Sequence, residues 1–237
     1  RYLESVGMSA DERAGAIIAM DSKGIVHDGR SDLTDGKSEL ALTAATLRAL
    51  NLDALSGTST LEAIISAARP TALLGTSGQA GAFTEAAIRA VAAVTPAPLI
   101  WPLSNPTSCA EATPSDILKW SEGHAVVATG SPFEPVLVDG KPEAISQANN
   151  VYIFPGVGLA AIAGHLPRIP DEAFLVAAET LAALTPAERA SIYPPIAQLR
   201  AISRSIAIAV IQAGVVAGWA PATPTDRIPE LVDAAMW

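Results

Sequence analysis

Residues 98–132 read PLIWPLSNPTSCAEATPSDILKWSEGHAVVATGSP and contain one complete strand–helix–strand unit. Pro98 to Leu103 is a short apolar run of strand length that stops at the polar turn Ser104-Asn105-Pro106-Thr107. Thr113-Pro114 opens a helix. The threonine caps the first unpaired amides, and proline, which has no amide to lose, fits the first helical position. His124 to Ala128 is the second apolar run, and Gly130-Ser131-Pro132 stops it. Neither run alternates apolar with polar residues, so both faces of these strands should be covered.

The unit recurs on either side. Upstream, Ser59-Thr60-Leu61-Glu62 has capping-box spacing, Leu61, Ile64 and Ile65 follow at helical spacing, and Arg69-Pro70 ends the helix. Thr71 to Leu74 reads as a strand entering Gly75-Thr76-Ser77-Gly78, and Thr84 to Val94 as the next helix. Nearer the N-terminus, Ala16 to Met20 reads as a buried strand ending at Asp21, with Ser22-Lys23-Gly24 as its turn and Gly29 to Lys37 as a loop. Downstream, Val151 to Phe154 is expected to be a further strand, running into Pro155-Gly156-Val157-Gly158. Asp171 to Leu184 and Pro195 to Gly218 read as long helices, and Thr185-Pro186-Ala187-Glu188 as a second capping box; no strand is expected after Phe154. Strands alternating with helices predict an α/β fold with a parallel sheet covered on both faces. Ligands of such sheets bind beyond the carboxyl ends of the strands, where the polar residues of this chain collect.

Bulk properties agree. Of 237 residues, 50% are hydrophobic and only 5% aromatic, which suits aliphatic parallel strands. A formal charge of −9 repels nucleic acid and anionic membranes, so neither is an expected partner. The single cysteine, Cys109, excludes an internal disulfide and suits a reducing cytoplasmic or matrix-like compartment. RYLESVGMSADERAG reads as an ordinary helix end rather than a targeting segment. The longest apolar candidate, Ser205 to Val216, is broken by Gln212 and Gly214 and falls short of the about 18 residues of a membrane span.

Two glycine-rich turns are candidate phosphate sites. Gly156-Val157-Gly158-Leu159-Ala160-Ala161 fits G-x-G-x-x-A after an expected strand, although Pro155 precedes it and Asp171 comes too early for the acidic residue of that motif. Such a turn also serves plain close packing, which is the favoured reading of these residues. Gly75 to Gly81 has exposed amides at a helix start, where an anion or a cofactor can lie. Asp21, at a strand end, can accept from an adenine ribose or merely cap a loop. Lys23, Arg30 and Lys37 can pair a 2′-phosphate or be a solvated surface. Asn105, Asn149 and Asn150 are amides at strand ends that can both donate and accept, as suits a substrate carboxylate or hydroxyl, and each alone is more often a turn residue. His27, His124 and His165 are scattered, so neither a nucleophilic triad nor a self-contained metal site assembles.

The order of segments is more specific. Met20-Asp21-Ser22-Lys23-Gly24, Gly29-Arg30, Arg69-Pro70-Thr71, Leu103-Ser104-Asn105-Pro106-Thr107-Ser108 with Glu111, Gly130-Ser131-Pro132-Phe133, Asn149-Asn150-Val151-Tyr152-Ile153-Phe154-Pro155-Gly156 and Tyr193-Pro194-Pro195 follow one another. Together they resemble the C-terminal NAD(P)-binding domain of malic enzymes, from about residue 10 to about residue 218. The resemblance implies a Rossmann-like sheet over residues 1–237 with a mostly helical tail over 165–237. It implies oxidative decarboxylation of malate to pyruvate and carbon dioxide, with hydride passing to NAD or NADP and a divalent Mg or Mn ion bound mainly by residues outside this chain. Carried over by position, Asp21, Ser22, Lys37, Thr76, Ser77, Gly78, Ser104 and Asn105 line the cofactor. Asn105, Asn149 and Asn150 serve malate. Ser22 and Lys37 occupy places held by a serine and a lysine in the family's NADP users, which leans the expectation toward NADP. The resemblance also sets Gly156 to Ala161 at a helix start away from the pyrophosphate.

Some features depart from the family. Its catalytic tyrosine and lysine, its carboxylate metal ligands and its glycine fingerprint would all precede Arg1. The expectation is therefore a chain lacking the first strand of the fold, inactive toward malate without a further N-terminal half, and associating as a homo-oligomer. Gln147-Ala148 replaces the Gly-Gln-Gly common before the paired asparagines. The alternatives are an inert binding or assembly remnant, or the cofactor domain of another dehydrogenase. The asparagine motifs speak against the latter, whose chemistry wants a lysine near the strand ends.

Overall fold

The computed structural model describes residues 2–53, 60–138, 140–185 and 192–236. The chain divides into two compact units, residues 3–145 and residues 146–236 with Tyr2.

The first unit contains the parallel sheet. Strand β1 (Met20–Asp21) pairs antiparallel with β2 (Gly24–Ile25) in a two-stranded hairpin. The strand expected from Ala16 is thus confined to its last residues. Ile17 is exposed, so the run lacks the burial that a core strand needs, and the Lys23 amide donates to Asp21 Oδ1 (2.9 Å) to turn the chain back. Further along, β3 (Ala72–Gly75), β4 (Leu99–Pro102) and β5 (Val126–Thr129) lie parallel in that order. Register runs Ala72 to Leu99 and Gly75 to Pro102, then Leu99 to Val126, which brings the carboxyl ends of β3 and β4 level. The arrangement is Rossmann-like, with Ile100 and Val127 of the sheet packed against Ile88 and Ile117 and with Leu74 and Leu99 exposed within this unit.

Three helices of this unit are set by their caps. In α1 (Leu61–Ala68) the Thr60 hydroxyl accepts from the Ala63 amide; Ser59, the expected cap, lies outside the described residues. Arg69 ends α1 in the left-handed region before Pro70. Helix α2 (Glu85–Ala92) is capped by Thr84 and buries Ala87, Ile88 and Val91. Helix α3 (Pro114–Trp120) has Thr113 as cap and proline at its start, as its sequence predicts. Ile100 of β4 packs with Ile88, Ile117 and Val127 in one core cluster. An antiparallel hairpin, β6 (Val136–Val138) and β7 (Lys141–Glu143), follows. Its signal in the sequence is Asp139-Gly140, a hairpin dipeptide; Gly140 has φ +76°, and Asp139 lies outside the described residues.

The second unit is mainly helical: α4 (Phe154–Ala163), α5 (Asp171–Leu184), α6 (Leu199–Ala217) and α7 (Ile228–Ala235). Val157, Ala177, Ile206, Ile211, Ile228 and Val232 share its core. The strand expected over Val151 to Phe154 is absent. Asn150–Tyr152 is a single 3-10 turn and α4 starts at Phe154. Tyr152 stacks on Tyr193 with ring centroids 5.3 Å apart and donates its hydroxyl to the Pro194 carbonyl (2.8 Å), and these contacts override the strand preference of aromatic and branched residues. By length and mean hydropathy, the segment 196–217 is long and apolar enough to cross a membrane, unlike the shorter run Ser205 to Val216. Ile202, Ile206, Val210 and Ile211 are buried within this unit, and Ile196 and Val216 are exposed. The capping box expected at Thr185 to Glu188 extends into residues outside those described.

Candidate functional site

The level ends of β3 and β4 place two loops side by side, Gly75 to Gly78 and Leu103 to Asn105. One carboxylate oxygen gathers them. Glu111 Oε1 accepts from the Ser77 amide (2.7 Å), the Ser77 hydroxyl (2.8 Å) and the Ser104 hydroxyl (2.6 Å). The Ser104 oxygen in turn accepts from the Gly78 amide (2.8 Å). Glu111 is fully buried and Ser104 nearly so, whereas Thr76, Ser77 and Gly78 face solvent. Burial pushes the Glu111 carboxyl upward, but the Ser104 and Ser77 donors outweigh it and hold the group below the usual glutamate range, ionised at neutral pH. Gly75 makes room for it: a Cβ there would meet Glu111 Cδ at 2.5 Å.

A third loop supports Asn105. The Ser131 hydroxyl donates to Asn105 Oδ1, and the Thr129 hydroxyl fixes the Ser131 carbonyl (2.8 Å). Gly130 lies against Leu103, whose carbonyl oxygen would be 2.1 Å from a Cβ at position 130. The Gly130-Ser131 and Leu103-Ser104-Asn105 motifs are thus in direct contact. Asn105 is exposed, with its Oδ1 engaged by Ser131 and its NH₂ making one long contact to the Leu103 carbonyl at 3.5 Å.

At the β1–β2 hairpin, Asp21 is occupied by cations. Arg30 Nη1 and Nη2 each reach one of its oxygens at 2.9 Å, Lys37 Nζ donates to Oδ2, and the Lys23 amide donates to Oδ1. Four donors fill the lone-pair sites of one carboxylate. Arg30 also bonds Asp32 (Nε, 3.0 Å), to which Lys23 Nζ donates at 2.6 Å. Hydrogen bonds from Arg30, then Lys37, hold Asp21 far below the usual aspartate range. Arg30 and Lys23 do the same for Asp32. Ser22 is exposed at the turn.

Thr76, Ser77, Gly78, Ser104 and Asn105 therefore come together, as do Asp21 and Lys37 with Arg30. Asn149 and Asn150 belong to the second unit. There the Asn149 oxygen caps the 3-10 turn by accepting from the Val151 amide (2.9 Å), while Asn150 is exposed. Gly156 to Ala161 lies inside α4, where a Cβ at Gly156 would meet Ile206 at 2.7 Å. This glycine serves helix packing, and the segment lies within a helix and not in a strand-to-helix turn. Glu111 and Ser131 carry no role in the sequence reading. The available signal for Glu111 is a lone acidic residue between Ala110 and Ala112. Among the described residues no group of three or more His, Cys, Asp or Glu side chains could hold a metal ion.

The family described as malic enzyme, NAD binding domain, matches residues 1–215. The NAD-dependent malic enzyme of Sodalis glossinidius is 39% identical over 99% of this chain and 42% of its own length. That of Colwellia psychrerythraea is 36% identical over 98% of this chain and 41% of its own. The chain thus spans about two fifths of the curated relatives it matches. Among solved structures, a malic enzyme from Pyrococcus horikoshii superposes over 89% of this chain and 43% of its own with TM-score 0.67 and 19% identity, which establishes likeness of fold. An NAD-dependent malic enzyme from Thermotoga maritima gives TM-score 0.59 at 21% identity over 89% of this chain and 47% of its own. With the family pattern running through nearly the whole sequence, the chain belongs to the malic enzyme NAD-binding domain family.

Proposed function

We propose that this chain binds NAD along the loops that follow β3 and β4, and serves the oxidative decarboxylation of (S)-malate to pyruvate and carbon dioxide in the enzyme of which such a domain forms part. The observation that carries this reading is the joined pair of loops at the carboxyl ends of parallel strands, the place where such sheets bind nucleotides. A dinucleotide fits it. Gly78 has φ +68° and open space where a Cβ would stand, so a ligand can lie directly on the backbone. When bound, NAD supplies the hydride acceptor. The chain's own residues hold it, and Asn105 offers its NH₂ to a substrate carboxylate or hydroxyl. This chain's part in the chemistry is to bind and orient the cofactor and substrate, with a Mg or Mn ion held mainly by residues outside it.

The engaged cations favour NAD over NADP, against the leaning drawn from Ser22 and Lys37. A 2′-phosphate would compete with Asp21 and Asp32 for Arg30, Lys23 and Lys37. The half-exposed Lys37 is the cation on which any use of NADP would rest. Fluorescence titration with NADH and NADPH tests the reading. NADH should bind at least about tenfold more tightly, a difference of one charged contact. Failure of both to bind would refute the cofactor assignment, and tighter NADPH binding the preference.

A further inference from the structure

Glu111 is a fully buried carboxylate that, among the described residues, has no cationic partner. Taking such a charge out of water is costly, and here the hydrogen bonds from Ser77 and Ser104 offset it. All three side-chain-directed bonds converge on Oε1, while Oε2 is buried without a hydrogen-bond partner beside Gly75. The donors come from two separate strand ends, 34 and 7 residues away in sequence. The Gly78 amide can only donate and the ionised Glu111 carboxylate can only accept, so the Ser104 oxygen accepts from Gly78, its single proton goes to Glu111, and the chain has one direction throughout.

We propose that Glu111 is a positioning residue that locks the Gly75–Gly78 loop to the Ser104–Asn105 loop, presenting them as one preformed dinucleotide surface before the cofactor arrives. The proposal rests on the cofactor reading above. The agent is the geometry of one acceptor oxygen. Preformed loops bind more tightly because ordering is complete before association.

The test compares Glu111→Gln, which keeps the acceptor oxygen, with Glu111→Asp, which withdraws it by one methylene. NADH affinity is measured by fluorescence titration, and exchange of the Ser77 and Gly78 amides by NMR in the free chain. Each variant is first shown to be folded by its thermal transition. Glu111→Asp should raise the NADH Kd about tenfold or more and speed exchange of both amides similarly, while Glu111→Gln stays within about threefold on both counts. A folded Glu111→Asp variant with unchanged affinity and exchange overturns the proposal. So does a Glu111→Gln variant as impaired as Glu111→Asp, since charge rather than position would then be the agent. If Glu111→Asp does not fold, Ser104→Ala decides: faster Gly78 exchange with an NADH Kd raised about fivefold supports the lock, and no change overturns it. If the unaltered chain does not bind NADH, the cofactor reading falls by itself, and the exchange rates alone decide whether the loops are locked.

Discussion

At Gly75 and Gly130 the neighbouring loop leaves room for a hydrogen atom and nothing larger. The obstacle at Gly75 is the buried Glu111 side chain, and at Gly130 it is a backbone carbonyl, which cannot swing aside. Gly130→Ala should therefore cost about 3 kcal/mol, the upper end for overpacking a fitted interior, read from the urea midpoint. A loss below about 1 kcal/mol would mean that the two motifs part easily. Charge at the hairpin gives a second expectation. Asp21 and Asp32 have folded-state pKa values depressed by Arg30, Lys37 and Lys23. Their stabilisation is present above the unfolded value of about 4 and is lost as pH falls through the folded values. Arg30→Ala should lower the melting temperature at pH 7 and flatten the fall in stability below pH of about 4. Parallel pH curves for the two proteins would show that the acid sensitivity arises elsewhere.

Elements, unlike residues, were partly ambiguous. Caps at Thr84 and Thr113 and the proline at Pro114 specify helix starts through bonds within one turn, so they can be read locally. The run Val151 to Phe154 has no such local signal, and a short apolar run suits strand or helix alike. Two glycines of α4 test the outcome. Gly156→Ala should destabilise by about 1–3 kcal/mol, because its methyl would meet Ile206. Gly158→Ala meets no atom within 4 Å and should stabilise, by about 0.5–1 kcal/mol, as alanine does in a helix interior. Thermal unfolding of the pair checks this. NADH affinity should be unchanged in Gly158→Ala; a tenfold loss, about 1.4 kcal/mol, would return this segment to the phosphate.

For the molecule as a whole, the division into two units means two separate cores. Ile100 is sealed among Ile88, Ile117 and Val127 in one, and Ile206 among Val157, Ile211 and Ile228 in the other. Truncating either to alanine should cost about 2–5 kcal/mol by chemical denaturation, and a near-neutral result at either would deny that unit a close-packed interior. The sequence by itself determined the parallel α/β unit, the capped helix starts at Thr84 and Thr113, the gathering of polar residues at strand ends and the family. The first two follow from run length and local hydrogen bonding, which act within a few residues, and the family follows from the order of motifs along the chain. Only the tertiary structure decided that Tyr152 turns its run into a helix entrance, because its partners lie 42 residues away. The same holds for Asp21, whose acceptor sites Arg30 and Lys37 fill, and for Glu111, which joins Ser77 to Ser104. Which donor reaches a given carboxylate depends on how distant segments come to lie together in the fold, and neighbouring residues in the chain carry no record of it.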